Sequence, residues 1–197
     1  MRPRSRKAHN KVLDAAIELF AVRGIDGTSM DAIAEASGVS KATIYKHWAD
    51  KDALCLEVMI RVHGLDAERP TFHTSDLRRD MCDRLKYEPP EHPSLLRDRL
   101  MPHLMAYAAR NQAFGQAWRM RVMEPLRVHI VEFLERGIAD RIFPENLDIP
   151  MAIALLAGPL IYGKMLGTGD LTRAALAEGV VNAFWRAFAQ REMKKAG

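Results

Sequence analysis

Apolar residues recur at helical spacing along the chain, and no segment shows the period-two alternation that is typical of strands. The first predicted helix runs from about Ala8 to Val22 and ends at Gly24, where a helix stop is expected. Its apolar face is formed by Val12, Leu13, Ala16, Ile17, Leu19 and Phe20. We expect this helix to support the two shorter helices that follow it.

A second pattern predicts two short helices joined by a glycine turn. Thr28 and Asp31 have the spacing of a capping box, in which a hydroxyl and a carboxylate satisfy the backbone N–H groups that open a helix. Gly38 ends that helix, because glycine readily adopts the left-handed backbone conformation. Ser40 caps the next helix, which extends from Lys41 to Trp48. Two helices connected in this way can place the second one in the major groove of DNA.

The second helix of this pair has one apolar side and several polar positions. Ile44 and Trp48 lie four residues apart and form its inner side. Polar donors near the start of such a helix suit both the base edges and the phosphates of DNA. The spacing alone is also compatible with a solvated face on an ordinary helical hairpin.

The rest of the chain also predicts helices, with loops between them. A fourth helix is capped by Asp50 and carries the apolar positions Leu54, Val58 and Val62. The next stretch is broken into loops by Pro70, Pro89, Pro90 and Pro93, although the intervals between them remain helix-like. Further helices are predicted over 94–109 with a kink at Pro102, over 113–138 with an interruption at Pro125, over 149–166 and over 171–191. We therefore assign the chain to the all-α class.

The helix predicted over 149–166 is apolar nearly all round, with small residues such as Ala157 and Gly158 among larger ones. A helix without a polar face must be covered on every side, and a chain of this size seldom does so near its end. We expect the last two helices to form a two-fold four-helix interface with a second copy of the chain. A fully intramolecular core is the alternative.

Composition and charge narrow the class of protein further. The 197 residues allow one domain or two small ones, and a hydrophobic content of 48% is ample for a buried core. The formal charge of +4 is too small to indicate a nucleic-acid partner by itself. However, five basic residues precede the first acidic one: Arg2, Arg4, Arg6, Lys7 and Lys11. They form either a solvated terminus or an arm that follows phosphates or enters a minor groove.

Several functional classes require residue patterns that this sequence lacks. Cys55 and Cys82 have no metal-ligand spacing and suggest no disulfide framework, so we expect reduced thiols, with redox sensing as the alternative. The chain has no Glu-x-x-His pair, zinc-protease motif, Gly-rich phosphate loop or nucleophile elbow, so we predict neither an enzyme nor a metal or cofactor. Without a bilayer-spanning run or a secretory signal, a cytoplasmic protein is expected that binds no membrane.

Several spaced residues resemble those of a known family. The first quarter of the chain resembles the N-terminal domain of TetR/AcrR-type transcriptional regulators, at Phe20, Gly24, Gly27-Thr28, Ile33-Ala34, Gly38-Val39-Ser40, Thr43 to Trp48 and Asp50 to Leu54. The later half resembles the ligand-binding and dimerisation domain of the same family, less specifically, through Trp118, Glu124-Pro125, Asp148, Gly158-Pro159 and Leu171.

The resemblance implies a three-helix DNA-binding domain with a helix-turn-helix over residues 1–52 and a larger helical ligand-binding and dimerisation domain over 53–197. It implies a homodimer that presents Lys41 to Trp48 of each copy to a palindromic operator in double-stranded DNA. Tyr45, His47 and Lys51 inherit contacts to the DNA backbone. Ser40, Lys41, Ala42 and Thr43 are the candidates for reading bases, and further DNA contacts are expected from Arg4, Arg6, Thr28 and Lys46.

The same resemblance implies a small-molecule effector inside the later domain. The expected pocket lining consists of Leu104, Met105, Trp118, Met123 and Tyr162, and His103 and Arg121 are expected to anchor a polar end of the ligand. Each lining residue is also compatible with ordinary core, and Arg121 with a solvated position. The eleven methionines favour an adaptable cavity. Repression that the effector releases is the usual family outcome. Activation is one alternative, and a sequence-neutral architectural DNA-binding protein is another.

Overall fold

The computed structural model describes residues 3–68, 70–89, 94–166 and 172–190, with side chains described outside 3–5, 94–97 and 164–166. Within these residues the chain is helical and contains no strand, which confirms the predicted all-α class. The helices are α1 (Pro3–Arg23), α2 (Met30–Ser37), α3 (Lys41–Tyr45), α4 (Lys51–Val62), α5 (Leu77–Lys86), α6 (Ser94–Arg110), α7 (Gln112–Trp118), a π-helical turn (Arg119–Met123), α8 (Glu124–Ala139), α9 (Ile149–Leu166) and α10 (Arg173–Phe188).

The contacts within the chain divide it into two units. The first unit comprises residues 1–69 and 88–125, so that α1 to α4 pack with α6, α7 and the π turn. The second comprises residues 70–87 and 126–197, in which α10 packs on both α5 and α9. The division into functional domains at residues 52 and 53 stays a prediction. The predicted second domain, residues 53–197, contributes most of α4 and all of α6 and α7 to the first unit.

The core of the first unit contains the apolar positions predicted from spacing. Phe20, Ile33, Ile44, Trp48 and Leu54 are each at most 2% exposed. These residues lie on α1, on α2, on α3, in the turn after α3 and on α4. Their common burial shows that α1 to α4 share one core. This burial supports the apolar faces that were predicted for these helices.

The predicted caps are correct at three of the four helix boundaries around α2, α3 and α4. Gly38 has a φ of 65°, in the left-handed region where a side chain would be strained, and it ends α2. The side chain of Ser40 accepts a hydrogen bond from the Thr43 N–H at 3.3 Å. The Asp50 carboxylate accepts one from the Ala53 N–H at 2.8 Å.

The capping box predicted for Thr28 and Asp31 is wrong. Ser29 caps α2 by accepting a hydrogen bond from the Ala32 N–H at 3.1 Å. The Thr28 side chain is instead buried, and its hydroxyl donates to the carbonyl oxygens of Gly24 at 2.7 Å and Leu19 at 3.3 Å. Thr28 thus satisfies the open carbonyls at the end of α1 rather than the open N–H groups of α2.

The interruption predicted near Pro125 takes the form of the π turn, where the Glu124 N–H donates to the Arg119 carbonyl. Proline has no N–H to donate, so a regular helix cannot pass through it with every hydrogen bond made. Pro102 lies inside α6, which continues past it. Two further boundaries differ from prediction, since α1 begins at Pro3 and α3 ends at Tyr45.

The second unit has an aromatic core. Phe143 and Phe184 meet edge to face with ring centroids 5.4 Å apart, and Trp185 meets Phe143 at the same separation. A methyl group on Gly137 would lie 2.3 Å from the Phe143 ring, so only glycine allows this approach. The core leaves part of α9 uncovered, because Met151, Leu155 and Tyr162 are 55%, 45% and 60% exposed.

Candidate nucleic-acid interface

The polar face predicted for α3 is exposed in the structure. Tyr45 is 51% exposed, whereas Ile44 and Trp48 are only 1% and 2% exposed. The other exposed positions on and beside α3 are Ser40, Lys41, Ala42, Lys46 and His47, and Thr43 is half-buried. A short helix that is anchored on one side and polar on the other is suited to enter a groove of DNA.

Two contacts organise the first turn of α3. The Lys41 ammonium lies 2.6 Å from the Asp31 carboxylate of α2, and both side chains are more than half exposed. An exposed ion pair of this kind contributes little free energy, so Lys41 can exchange Asp31 for an acceptor on DNA. The hydroxyls of Ser40 and Thr43 lie 2.9 Å apart and share a hydrogen bond.

The half-buried Lys51 makes its hydrogen bonds within the chain. Its ammonium donates to the carbonyl oxygens of Ile25 at 2.7 Å and Thr28 at 3.1 Å, and it lies 5.9 Å from the centre of the Tyr107 ring. These bonds stabilise the turn between α1 and α2. The polar side-chain atoms of Lys51 and of the buried Thr28 thus bind within the chain, and their expected DNA contacts stay a prediction.

The basic N-terminal residues belong to a helix. Because α1 begins at Pro3, the basic residues that were expected to form either a solvated terminus or a DNA-contacting arm lie on this helix from Arg4 onward, and the choice between the two stays a prediction. Arg6, Lys7 and Lys11 are exposed along α1. The side chain of Arg4 lies outside the described side chains, so its expected DNA contact remains a prediction.

Four side chains form a cluster at the end of α3 that sequence reasoning missed. Glu57 of α4 places one carboxylate oxygen 2.6 Å from His9 Nε2, and its other oxygen accepts a hydrogen bond from the Trp48 indole N–H at 2.6 Å. The His9 ring is stacked on Trp48 with centroids 4.6 Å apart, and His47 meets His9 edge to face at 5.3 Å. His9 lies far from the other three residues in the sequence, so no local motif could have revealed the cluster.

A second polar network joins α6 to the first turn of α4. The Tyr107 hydroxyl donates to Asp52 at 2.6 Å, and the Asn111 amide donates to the other Asp52 oxygen at 3.1 Å. Burial, together with this hydrogen bond to Asp52, raises the pKa of Tyr107 to about 12. Arg110 of α6 also forms an ion pair with Asp26, which lies in the turn after α1. The network holds α6 against the helices that carry α3.

The expected pocket residues have different environments. Leu104 is fully buried, and Met105, Trp118 and Met123 are half-buried in the first unit. The Trp118 indole N–H is buried and has no hydrogen-bond acceptor among the described residues. Such an orphaned donor is uncommon, because burying it without a partner costs free energy.

The remaining pocket candidates are placed elsewhere. His103 is exposed, and its Nδ1 would lie 3.1 Å from a methyl group on Gly24, so it covers the turn that ends α1. Arg121 is exposed, which agrees with the alternative that its side chain is solvated. Tyr162 belongs to the second unit and is 60% exposed on α9. The structure therefore gives these three residues no enclosed position.

A groove runs between α9 and α10 on the second unit. Its volume is about 450 Å³, and every residue that lines it is apolar. The lining consists of Leu155, Pro159, Ala175, Leu176, Gly179, Val180, Ala183, Phe184, Ala187 and Phe188. Four small residues of α10, at positions 175, 179, 183 and 187, recur every fourth residue and are exposed. An exposed apolar groove of this size is typical of a protein interface.

Metal binding, membrane spanning and thiol reactivity find little support in the described part of the chain. No group of three or more histidine, cysteine or acidic side chains there is arranged to hold a metal ion. None of its helices is both long and apolar enough to cross a bilayer. Burial raises the pKa of the thiols of Cys55 and Cys82, which disfavours the reactive thiolate and argues against the redox-sensing alternative.

The fold, together with the exposed α3, defines a helix-turn-helix DNA-binding regulator. The family model for bacterial regulatory proteins of the TetR family matches residues 12–58, and that for the tetracyclin repressor-like C-terminal domain matches residues 73–184. The chain belongs to the TetR family of transcriptional regulators. The HTH-type transcriptional regulator YdeS of Bacillus subtilis (strain 168) is 30% identical over 193 residues, which cover 93% of this chain and 91% of YdeS.

Solved structures show the same fold. A TetR-family transcriptional regulator from Mesorhizobium loti superposes with a TM-score of 0.68 at 24% identity, covering 96% of this chain and all of the other. The flavonoid-responsive regulator FrrA superposes with a TM-score of 0.63 at 26% identity, covering 93% of this chain and 98% of FrrA. Members of this family are DNA-binding transcriptional regulators.

Proposed function

We propose that this protein is a homodimeric repressor that acts in the cytoplasm and leaves its palindromic operator when a small molecule binds. The observation that carries the proposal is the exposed polar face of α3 above its buried anchors Ile44 and Trp48. A two-fold dimer would offer one α3 to each of two successive major grooves, roughly 34–36 Å apart.

We assign base recognition to the first turn of α3 and phosphate contacts to its end. Lys41, Ala42 and Thr43 occupy the end that enters the groove, where a lysine can bond guanine and an alanine methyl can contact thymine. Tyr45, Lys46 and His47 follow and are exposed, which suits contacts to the sugar-phosphate backbone. Arg6 supplies a further positive charge on α1.

Substitutions along α3 test this assignment. We expect Lys46→Ala to weaken binding to all duplexes by a similar factor and to reduce the salt slope by about one, because a phosphate contact carries no sequence information. Lys41→Ala and Thr43→Ala should change which bases are preferred, at a cost of about 1–3 kcal/mol at the affected positions. The measurement is the affinity for duplexes that the wild type enriches from a randomised pool and for scrambled duplexes, at two salt concentrations.

The pattern of losses decides between outcomes. Equal losses for all three variants on every duplex would contradict the division between base and phosphate contacts. A wild-type protein that binds enriched and scrambled duplexes equally would instead be the architectural DNA-binding alternative, whose binding depends on charge alone.

The groove between α9 and α10 supports the proposed homodimer. Leu155 of α9 is 45% exposed and lines the same groove as the four small residues of α10, which form a small-residue stripe. A two-fold interface is self-complementary, so the bulky helix of one copy can fill the small-residue stripe of the other. This arrangement would also cover the apolar face of α9, which is costly to leave in water.

We further propose that the effector is a flat apolar compound that carries an acceptor oxygen. The buried Trp118 indole N–H supports this, since a carbonyl or phenolate oxygen would supply its missing acceptor. Trp118 lies next to the π turn, and such turns frequently occur at functional sites. The name of FrrA describes it as flavonoid-responsive, so flavonoids are a reasonable first screening panel.

The effector proposal predicts that Trp118→Phe lowers the affinity for the effector without lowering the stability of the ligand-free protein. The phenylalanine keeps an aromatic ring but removes the N–H, so the affinity for an effector should fall about tenfold. The ligand-free protein should not lose stability, because the variant no longer buries an unsatisfied donor. Thermal shift with the flavonoid panel, followed by titration and operator release with any hit, measures both. Unchanged effector affinity in the variant would refute the role of Trp118.

A further inference from the structure

We infer that Glu57 is a positioning residue for DNA recognition. It fixes the end of α3 through its contacts with Trp48 and His9. This inference rests on the proposed function of α3. We call the contacts among His9, Trp48 and Glu57 the Glu57 bridge. Its residues come from α1, from the turn after α3 and from α4.

The need for such a bridge follows from the length of α3. A helix of five residues cannot hold its own orientation, because isolated helices shorter than about 12 residues are marginal in water. The start of α3 is held by the Ser40 cap and its middle by the buried Ile44. Its far end depends on Trp48, which is nearly fully buried and has one polar atom to orient it.

Glu57 orients that polar atom with both of its carboxylate oxygens engaged. One oxygen accepts from the Trp48 indole N–H and the other lies against His9 Nε2, both at 2.6 Å. With both oxygens engaged the carboxylate has little freedom, and hydrogen bonds to charged groups are stronger than neutral ones. The indole is also stacked against the His9 ring, so its plane as well as its N–H direction is determined.

The bridge extends to a side chain that faces outward. His47 is exposed, and its ring lies 5.3 Å from His9 and 5.5 Å from Trp48. The Glu57 bridge therefore sets where His47 and its neighbour Lys46 are presented. A misplacement of about 1 Å at the end of a recognition helix is enough to lose groove contacts that depend on hydrogen-bond geometry.

Because Glu57 is charged, the direction in which DNA affinity changes when it is removed tests the inference. A carboxylate near a phosphate backbone repels DNA, so a glutamate that served only as surface charge would strengthen binding when removed. A positioning glutamate should weaken binding to the preferred duplex when removed. Its removal should leave binding to a scrambled duplex unchanged or slightly tighter, since that binding needs no exact alignment.

The experiment compares full-length variants on one duplex that the wild type enriches from a randomised pool and on a scrambled duplex. We expect Glu57→Ala to lower the ratio of the two affinities at least about tenfold. Trp48→Phe, which keeps the ring but removes the N–H, should lower it comparably. Glu57→Gln keeps an oxygen for the indole N–H and should retain most of the ratio. Glu35→Ala, which removes an exposed carboxylate from α2, is the control and should leave it unchanged.

A spectroscopic signal reports the bridge without DNA. The indole proton resonance that disappears in Trp48→Phe belongs to Trp48, and it should move upfield in Glu57→Ala as the hydrogen bond is lost. Thermal unfolding of each variant identifies loss of the fold, and Glu57→Gln together with Trp48→Phe tests the inference if Glu57→Ala does not fold.

Three outcomes are decisive. Equal loss of affinity for both duplexes in folded Glu57→Ala and Trp48→Phe would show a merely structural role and overturn the inference. Stronger binding of Glu57→Ala to both duplexes would show that Glu57 acts only as a charge. If the wild type enriches no duplex, the proposed function fails first and the inference fails with it.

Discussion

Gly179→Glu is expected to produce a folded monomer that has lost specific DNA binding. Gly179 lies in the middle of α10 and lines the apolar groove, and a methyl group built on it meets no atom within 4 Å. The added side chain therefore has room within one copy of the chain. Replacing a glycine inside a helix also favours folding, by up to roughly 1 kcal/mol.

The same side chain is incompatible with the proposed dimer. In a two-fold interface across the groove, each copy would bury a carboxylate among apolar side chains without a partner, which is strongly unfavourable. A monomer presents one α3 instead of two linked ones, and losing that linkage costs roughly 10²–10⁴ in affinity. Light scattering coupled to gel filtration measures the mass, and titration with the enriched duplex measures the binding.

Ala174→Glu provides the matched control. It places the same charge on an exposed position of α10 that does not line the groove, so it should remain dimeric and bind as the wild type does. A Gly179→Glu protein that still dimerises and binds the duplex would show that copies of the chain associate through another surface.

Asp80→Asn is expected to lower the free energy of unfolding by about 3–5 kcal/mol, the usual cost of breaking a buried ion pair. Asp80 is 2% exposed and accepts hydrogen bonds from the Arg136 guanidinium at 2.6 Å, from the Thr74 hydroxyl at 2.7 Å and from the Thr74 N–H at 2.9 Å. These bonds join α5 to α8 and to the loop that precedes α5. The amide keeps the shape but leaves the largely buried Arg136 charge without its counterion.

The same pair predicts how stability depends on pH. Burial alone would raise the pKa of the Asp80 carboxyl, but the hydrogen bonds from Arg136 and Thr74, with the charge of Arg136, outweigh burial and lower it. A carboxyl with a lowered folded-state pKa stabilises the protein above its unfolded value of about 3.9, and this contribution is lost as the pH falls through the folded value. The stability of the wild type should fall over that acidic range, and Asp80→Asn should lack this component.

Urea unfolding at pH 7 and at a series of acidic pH values measures both effects. Asp83→Asn is the control, because Asp83 lies on the same helix but forms an exposed pair with Arg79 at 3.6 Å. Such surface pairs contribute at most about 1 kcal/mol. Equal destabilisation by the two substitutions would contradict the special role of the buried pair.

Much of the architecture was predictable because it depends on local spacing. The apolar faces of α1 and α4, the stop at Gly38 and the caps Ser40 and Asp50 involve residues within about four positions of each other, and the structure agrees with them. The predicted capping box was wrong because the Thr28 hydroxyl has other acceptors nearby. The Thr28 hydroxyl found acceptors at the end of α1, so the neighbouring Ser29 capped α2 instead.

The candidate site was only partly predictable. The exposed face of α3 followed from the burial of Ile44 and Trp48, which the four-residue spacing indicated. The role of Lys51 did not, because a lysine at a helix start can reach either DNA or the protein, and only the positions of the Ile25 and Thr28 carbonyls decide which. The expected pocket likewise divided between buried residues such as Leu104 and exposed ones such as Tyr162.

The sequence by itself thus determined that the chain is helical, where most helices begin and end, and which side of α3 faces outward. Periodicity and capping act between neighbours in the chain, so they can be seen without coordinates. Only the tertiary structure decided that Lys51 is used internally, that Glu57 joins His9 to Trp48 and that Asp80 pairs with Arg136. Hydrogen bonds and ion pairs depend on distances of a few ångströms between residues remote in sequence, and only the packing of the helices sets those distances.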